Sequence, residues 1–259
     1  MSIINETVAL LDAAEEKHMS IAPLTVQQPT LSIDDAYHVQ LTRIQKKVSE
    51  GDVISGKKIG LTSLAMQNLL GVDQPDYGHL LQSMEVKNGG SVSLASLYQP
   101  KIEGEIAFVL KEDLVGPNVT VADVLQATDY VIASIEIVDS RVKDWKIKLE
   151  DTVADNASCG LYVLSEQHIK IDAVDLPSIE MQLLKNGEVV NTGKGTDVLG
   201  DPAACVAWLA NKLHAYDVEL KAGEVILSGA LSAAVVAEPG DVFTARFTTL
   251  GDVTVEFTK

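Results

Sequence analysis

From residue 57 onward the chain is a series of short β-type runs that do not alternate regularly with helices. The runs are largely apolar, are separated by Gly, Asp and Asn, and cover residues 92–97, 101–110, 130–138, 179–184, 225–227 and 242–247. Two helices interrupt them: Thr120 and Asp123 begin one, and Asp201 with Pro202 begins the other. A doubly wound parallel sheet requires regular alternation of strand and helix, so this order excludes that fold and favours an α+β protein.

The first fifty residues have a helical pattern and precede this β-rich part. An apolar stripe at spacing i, i+4 and i+7 predicts a first helix, with a buried face formed by Ile4, Val8 and Leu11. After a Pro-containing linker at 22–30, Ser32 and Asp35 form a capping-box pattern that begins a second helix. The expected apolar face of that helix carries Tyr37, Leu41, Ile44 and Val48. We therefore expect a helical segment over residues 1–51 and one β-rich domain over 52–259.

The charge balance limits the classes of partner. The 259 residues include 20 Lys and Arg against 37 Asp and Glu, a formal charge of −17, and 46% of them are hydrophobic. That apolar share suffices for a sizeable core, while so negative a surface repels nucleic acid and anionic membranes. The sequence contains neither a signal-peptide pattern nor a membrane-spanning stretch, so we expect a cytoplasmic protein. A small anionic ligand would need local positive charge or a metal ion.

Several sequence signatures of common enzymes are missing. The glycines at 193, 195 and 200 fit neither the dinucleotide fingerprint nor a phosphate-binding loop, and neither G-x-S-x-G nor H-E-x-x-H occurs. Five histidines are scattered without metal-ligand spacing, and we interpret Cys159 and Cys205 as buried thiols. A Ser-His-Asp hydrolase and a zinc enzyme are therefore poorly supported.

Carboxylates interrupt two of the predicted strands. Residues two apart in a strand share a face, so Glu103 and Glu105 project together, while the apolar even-numbered residues line the other face. Glu136 lies in an otherwise apolar stretch, where an unpaired charge is costly. Three inward carboxylates form an oxygen-only ligand set, which suits Mg²⁺ or Mn²⁺.

The residues alone leave other interpretations open. Because E-x-E is common on solvated faces of strands, these glutamates could lie exposed on edge strands or pair with Lys101 and Arg141. Lys58 and Asp76 lie among glycines typical of turns. A surface lysine and a turn aspartate explain these two residues about as well as a proton-transferring pair does.

Taken in order, the motifs resemble one family over nearly the whole chain. They are K-I-G-L-T-S at 58–63, G-V-D-Q-P-D-Y-G at 71–78, Q-P-K-I-E-G-E-I-A-F at 99–108, I-E-I-V-D-S-R at 135–141, D-T-V-A-D-N-A-S-C-G at 151–160, G-D-P-A-A-C-V-A-W-L-A-N-K-L at 200–213 and I-L-S-G-A-L at 226–231. Together they resemble the fumarylacetoacetate hydrolase superfamily, and within it the hydratase and decarboxylase branch of aromatic meta-cleavage pathways.

The resemblance implies a fold and a set of site residues. The family fold is a mixed β-roll behind a helical N-terminal segment, so the β-rich part at 52–259 would be the catalytic domain. The family's functional positions fall on five residues of this chain, namely Glu103, Glu105 and Glu136 for a bound Mg²⁺ or Mn²⁺ and Lys58 and Asp76 for proton transfer. The chain departs from the family at Gly104, where alanine is usual.

The resemblance also implies a reaction and partners. The reaction is the addition of water at C4 of 2-hydroxypenta-2,4-dienoate (2-oxopent-4-enoate), which gives 4-hydroxy-2-oxopentanoate, while the metal stabilises charge that develops at the C2 oxygen. Decarboxylation of 4-oxalocrotonate (2-oxo-3-hexenedioate) is an alternative, because the same electron sink serves it. An acylpyruvate hydrolase and a non-catalytic partner subunit are weaker alternatives. Family members assemble into large homo-oligomers, and the hydratase and decarboxylase associate.

Overall fold

The computed structural model describes residues 2–64, 67–68 and 71–259. Within these residues the α-helices are α1 (Ile3–Lys17), α2 (Leu24–Gln27), α3 (Ile33–Ser49), α4 (Val121–Ala127), α5 (Leu149–Ala154) and α6 (Pro202–Leu213). None of these described helices combines the length and the apolar character needed to cross a membrane.

Short strands make up most of the remaining regular structure. In chain order the described strands are β1 (Ile54–Gly60), β2 (Asp76–Leu81), β3 (Glu85–Val86), β4 (Ser91–Ser93), β5 (Lys101–Leu110), β6 (Thr128–Val138), β7 (Cys159–Leu164), β8 (Ile169–Lys170), β9 (Glu180–Lys185), β10 (Glu188–Lys194), β11 (Val225–Ala230), β12 (Val235–Val236), β13 (Val242–Phe247) and β14 (Gly251–Thr258).

These described strands form two sheets. Nine belong to a curled sheet in the order β2-β1-β11-β5-β6-β7-β3, with β12 beside β5 and β8 beside β6, and the other five follow the order β10-β9-β13-β14-β4. Antiparallel pairs predominate, but β1 and β11, β3 and β7, and β4 and β14 run parallel. The predicted α+β class, with a mixed β-roll behind a helical N-terminal segment, is confirmed. Both cysteines are buried and free, as expected.

The two faces of the curled sheet bury different sets of side chains. The even-numbered apolar residues of β5 pack into the main core, together with residues of α1, α3, α6 and the second sheet. Ala107 and Val109, on the other face of β5, pack inside the curl with Leu80, Ile132 and Leu227. The predicted alternation along residues 101–110 is thus confirmed, and it directs the glutamates of β5 to the inside of the curl.

The N-terminal helices form as predicted, with two differences. Ser32 and Asp35 complete the predicted capping box, in which each residue accepts a hydrogen bond from the other's backbone N–H. The predicted linker contains the short helix α2, whose Thr25 donates two hydrogen bonds to the carboxylate of Asp151. Val48 is exposed rather than buried, because residues 48–51 at the end of α3 extend beyond the core.

Gly56, Gly60 and Gly78 do not mark turns, as the sequence had indicated, but lie in β1 and β2, whereas Gly71 does lie in a turn, with φ of 67°. The strand glycines allow close packing of the backbone: a Cβ at Gly56 would lie 1.8 Å from the Val225 carbonyl oxygen. The predicted strand at 92–97 is also shorter than expected. It ends at Ser93, whose hydroxyl accepts a hydrogen bond from Ala95 N–H and caps a 3-10 turn.

A buried ion pair connects the end of β6 to the end of α5. Arg141 Nε lies 2.5 Å from Asp155 Oδ1, and the Arg141 backbone N–H donates to Oδ2 at 2.8 Å. We expect Asp155→Ala to lower the free energy of unfolding by about 3–5 kcal/mol, because it leaves a buried guanidinium without its counter-charge. Denaturation in urea measures this change.

The exposed Arg246–Asp252 pair provides the control for that experiment. Asp252→Ala removes the carboxylate from an ion pair that solvent screens. It should therefore change the free energy of unfolding by no more than about 1 kcal/mol. If both variants lower the free energy of unfolding equally, the buried pair does not stabilise the fold more than an exposed one, and the prediction is contradicted.

Candidate functional site

The register of β5 and β6 brings the three predicted carboxylates together inside the curled sheet. Glu103 lies directly opposite Glu136, and Glu105 lies opposite Ser134. One carboxylate oxygen from each glutamate lies within 4.8 Å of the others, and Glu105 and Glu136 are fully buried. Like charges placed opposite each other on neighbouring strands repel. The arrangement is therefore costly without a cation.

Several oxygen atoms of this cluster lack partners. Glu105 Oε2 accepts a hydrogen bond from the Gly229 N–H at 2.7 Å, but Glu105 Oε1 and both oxygens of Glu136 have no hydrogen-bond partner among the described residues. Lys58 Nζ lies 3.2 Å from Glu136 Oε1 in an ion pair without hydrogen-bond alignment. Buried carboxylate oxygens without partners fit a hard divalent cation, which takes oxygen ligands. The three glutamates thus satisfy the chemical requirements of a metal site.

The protonation of the cluster agrees with this description. Burial, reinforced by the negative charge of Glu136 and opposed by Lys58, raises the pKa of Glu103 to about 7. Burial and the two neighbouring glutamates raise the pKa of Glu105 well above its usual value. Burial also raises the pKa of Glu136, against the effect of Lys58. A bound cation would oppose all three shifts by stabilising the ionised carboxylates.

Lys58 on β1 and Asp76 on β2 point into the same space. The two strands are antiparallel, with Lys58 opposite Gly78 and Gly60 opposite Asp76, so the two side chains share the inner face. Gly60 leaves room for this arrangement, because a Cβ there would lie 2.2 Å from Asp76 Oδ1 and 3.3 Å from Lys58 Nζ. Both residues are buried, which excludes the surface lysine and the turn aspartate considered above.

Burial and charge set the protonation of this pair. Burial raises the pKa of Asp76 to about 6, although Lys58 opposes the shift. Burial disfavours the ammonium form of Lys58, but the negative charges of Glu136 and Asp76 outweigh it and raise the pKa of that amine. At neutral pH the pair therefore consists of an ammonium and a carboxylate whose pKa is close to the ambient pH.

A cavity of about 280 Å³ connects these groups to the surface. At its inner end lie Lys58, Asp76 and Glu103, with the hydroxyl residues Thr152 and Ser158. Its wall is largely apolar and includes Leu61, Val138, Trp145, Ile147, Ala157 and Ala234. The cavity thus combines a charged end with a wall suited to a short hydrocarbon chain.

The structure corrects the proposed partners of the glutamates. Arg141 pairs with Asp155, and the Lys101 Nζ lies 4.3 Å from the centre of the Trp145 ring. Burial of Glu105 and Glu136 on interior strands excludes solvated edge positions for these two residues. Glu103 is only partly buried, because its side chain lines the open cavity.

Sequence reasoning missed two contributors to this cavity. Thr152 lines the cavity and opposes the rise in the pKa of Asp76, but it lies on α5, far from Asp76 along the chain. Trp145 lies in an irregular turn at the cavity wall, and no local pattern indicates its contact with Lys101. Sequence spacing could have placed Lys101 at the site, because residues two apart in a strand share a face and Lys101 therefore shares one with Glu103.

Gly104 has a structural explanation that does not involve the site. A Cβ at this position would lie 3.2 Å from both Ala245 Cβ and Met181 Cε on the second sheet. The neighbours of Gly104 are thus side chains of the second sheet. The departure from alanine therefore affects packing between the sheets and leaves the carboxylates in place.

Comparison with known proteins agrees with this geometry. Residues 72–258 match the family described as fumarylacetoacetate (FAA) hydrolase C-terminal. The chain is 50% identical over 242 residues to a 2-hydroxyhexa-2,4-dienoate hydratase of Comamonas testosteroni, a match that covers 93% of this chain and 92% of that protein. It is 48% identical over 218 residues to a 2-hydroxypent-2,4-dienoate hydratase of Pseudomonas putida, covering 84% of this chain and 98% of the relative.

A solved structure extends the match to the whole fold. The 4-oxalocrotonate decarboxylase from Pseudomonas putida G7, complexed with magnesium and adipate, has a TM-score of 0.95 and 38% sequence identity to this chain. The match covers 98% of this chain and 97% of the decarboxylase. Sequence and fold together show that the chain belongs to the fumarylacetoacetate hydrolase family.

Proposed function

We propose that this protein is a metal-dependent hydratase that converts 2-hydroxypenta-2,4-dienoate to 4-hydroxy-2-oxopentanoate in the catabolism of aromatic compounds. The observation that carries the proposal is a cluster of three carboxylates, one of which, Glu103, lines the same cavity as the buried Lys58 and Asp76. Two relatives named as hydratases of such dienoates, at 50% and 48% identity over most of the chain, support the same reaction here.

In this proposal Glu103, Glu105 and Glu136 hold Mg²⁺ or Mn²⁺. The donor set is all oxygen, as these hard ions prefer, and three protein ligands would leave coordination positions for substrate and water. When bound, the ion supplies Lewis-acid stabilisation of negative charge on the substrate's C2 oxygen. Its positive charge also accounts for how a chain of net charge −17 accepts an anionic acid.

Lys58 and Asp76 are the proposed proton-transfer groups. Asp76, with a pKa of about 6, is ionised near neutral pH and can take a proton from the water that attacks C4. Lys58 keeps a positive charge at the inner end of the cavity and can donate a proton to the substrate carbon chain. The apolar wall around Trp145 and Ile147 would accept the hydrocarbon end of the dienoate.

A decarboxylase of 4-oxalocrotonate is the second candidate. The solved decarboxylase with a TM-score of 0.95 favours it, and Lys101 supplies a second cation along the cavity for a distal carboxylate. Purified protein with Mg²⁺ or Mn²⁺ separates the two reactions. We expect loss of diene absorbance with 2-hydroxypenta-2,4-dienoate, whereas CO₂ release from 2-oxo-3-hexenedioate without dienoate turnover would overturn the hydratase proposal.

Metal binding should also stabilise the fold. A ligand at about 100 times its dissociation constant contributes roughly 2.7 kcal/mol, which corresponds to a rise in Tm of about 5–10 °C for a chain of this size. Thermal unfolding of chelator-stripped protein, with and without added Mg²⁺ or Mn²⁺, measures the rise. A potassium salt of matched ionic strength is the control, and an unchanged Tm with both divalent ions would contradict the site.

The proposed enzyme works as a homo-oligomer, either alone or together with a decarboxylase of its family. Val189 and Val190 are exposed on β10, at the edge of the second sheet, and are candidate contact residues of such an assembly. Light scattering on the purified chain measures its mass. A monomer at micromolar concentration would contradict the homo-oligomer.

A further inference from the structure

A left-handed turn lies between α5 and β7, next to the cavity. Its three residues, Asn156, Ala157 and Ser158, have φ values of 55°, 50° and 52°. This region is disfavoured for residues with a Cβ, and of the three only asparagine is common there. All three residues are buried, and Ala157 and Ser158 line the cavity. Three consecutive residues in this conformation require the surrounding structure to hold them.

The side chain of Asn156 supplies much of that support. Its Oδ1 accepts the His79 N–H at 2.8 Å, and its Nδ2 donates to the His79 carbonyl oxygen at 2.9 Å. The turn also packs tightly on β2, because a Cβ at Gly78 would lie 2.4 Å from the Asn156 carbonyl oxygen. One amide group therefore attaches the turn to the strand that pairs with β1, opposite Lys58.

This left-handed turn also contacts Lys58. The carbonyl oxygen of Ala157 accepts a hydrogen bond from Lys58 Nζ at 3.0 Å, while the ion pair with Glu136 lies at 3.2 Å. An ammonium has three N–H donors, so the hydrogen bond to Ala157 and the attraction of Glu136 together restrict the directions of the other two. The left-handed conformation is what turns the Ala157 carbonyl toward the lysine.

We propose that Asn156 is a positioning residue, which holds the left-handed turn so that the Ala157 carbonyl orients the Lys58 ammonium toward the substrate. The proposal rests on the catalytic role proposed above for Lys58. Loss of the amide would leave Lys58 and the glutamates in the chain but allow the ammonium to take several orientations. Proton transfer would then slow, whereas substrate binding would change little.

The chain offers a matched control for this amide. Asn211 on α6 makes the same two-bond contact with the backbone of Val119, at 2.8 and 2.9 Å, and lies outside the cavity. We expect Asn156→Gly, which tolerates positive φ, to lower kcat about 10–100-fold with KM changed less than about 3-fold. Asn211→Ala should leave both constants within about 2-fold of the parent. Equal kcat for the two variants overturns the proposal.

A double variant separates the positioning of Lys58 from a general loss of order around the cavity. If Asn156 acts through Lys58, adding Asn156→Gly to Lys58→Met should lower kcat no further. A further loss equal to that of the single variant would contradict this route. If Asn156→Gly does not fold, Asn156→Asp serves instead, because it keeps the acceptor for the His79 N–H and loses only the donor. It should then show a smaller but measurable loss of kcat.

Chemical labelling tests the turn independently of turnover. Acetic anhydride modifies free amines, so mass spectrometry should find Lys58 acetylated several-fold faster in Asn156→Gly than in the parent or Asn211→Ala. Unchanged labelling would contradict the positioning role. If the parent does not hydrate the dienoate, the proposed function fails, and the labelling result still decides whether the turn holds Lys58.

Discussion

Glu105→Gln is expected to lose metal binding and activity together while keeping the fold. The amide is isosteric and its oxygen can still accept the Gly229 N–H, but it removes one of three anionic ligands. The loss of affinity for Mg²⁺ should exceed the 10–100-fold that loss of an outer-shell partner typically costs. Turnover should fall by about 10³-fold, equivalent to several kcal/mol of transition-state stabilisation. Titration calorimetry and the diene assay measure the two effects.

The same variant should change how the stability of the metal-free protein depends on pH. Glutamates whose pKa is higher in the folded than in the unfolded chain bind more protons when folded, so stability falls as pH rises through this interval. In chelator, the parent should therefore lose stability from about pH 4.5 upward, through the Glu103 value of about 7. Between pH 5 and 8 the free energy of unfolding of Glu105→Gln should fall less than that of the parent, because one of the titrating carboxyls is gone. An exposed counterpart on β10, Glu188→Gln, should behave like the parent in both experiments.

Lys58→Met is expected to separate catalysis from metal binding. Methionine fills much of the same buried space but carries no proton, so kcat should fall by about 10²–10⁴-fold, the usual contribution of a general acid or base. Affinity for Mg²⁺ should stay the same or rise, because the ammonium 3.2 Å from Glu136 no longer competes with the ion. A fall in metal affinity comparable to that of Glu105→Gln would contradict this assignment.

The neighbouring Lys57 is the control for that variant. It is equally buried but lies on the other face of β1, where its Nζ pairs with Glu224 at 2.6 Å. Lys57→Met should lower the free energy of unfolding, since it leaves Glu224 without its partner. Turnover per folded molecule should remain close to that of the parent. Equal losses of kcat in the two variants would mean that burial of a lysine in β1, rather than the chemistry of Lys58, controls activity.

The cluster of three glutamates was predictable because its signals are local. Glu103 and Glu105 share a face through the two-residue period of a strand, and Glu136 is conspicuous in an apolar run. Their convergence depends on the register of β5 and β6, but two adjacent antiparallel strands make such a pairing common. For this reason the carboxylates could be identified before their distances were known.

The positions of Lys58 and Asp76 were less accessible to sequence reasoning. Glycines at 56, 60 and 78 suggested turns, whereas their role is to let β1 and β2 pack closely against side chains and backbone. The left-handed turn at Asn156 has no local sequence signal either, because contacts distant along the chain hold it. Long-range packing, which local propensity does not report, decided both cases.

Product formation by metal-stripped protein, titrated with Mg²⁺ in the presence of 2-hydroxypenta-2,4-dienoate, tests metal-dependent hydration most directly. We predict almost no 4-hydroxy-2-oxopentanoate without the ion, and a rate that rises in proportion to occupied sites until one ion is bound per chain. A rate that is unaffected by stripping and titration, or the absence of product at every Mg²⁺ and Mn²⁺ concentration, would contradict the account.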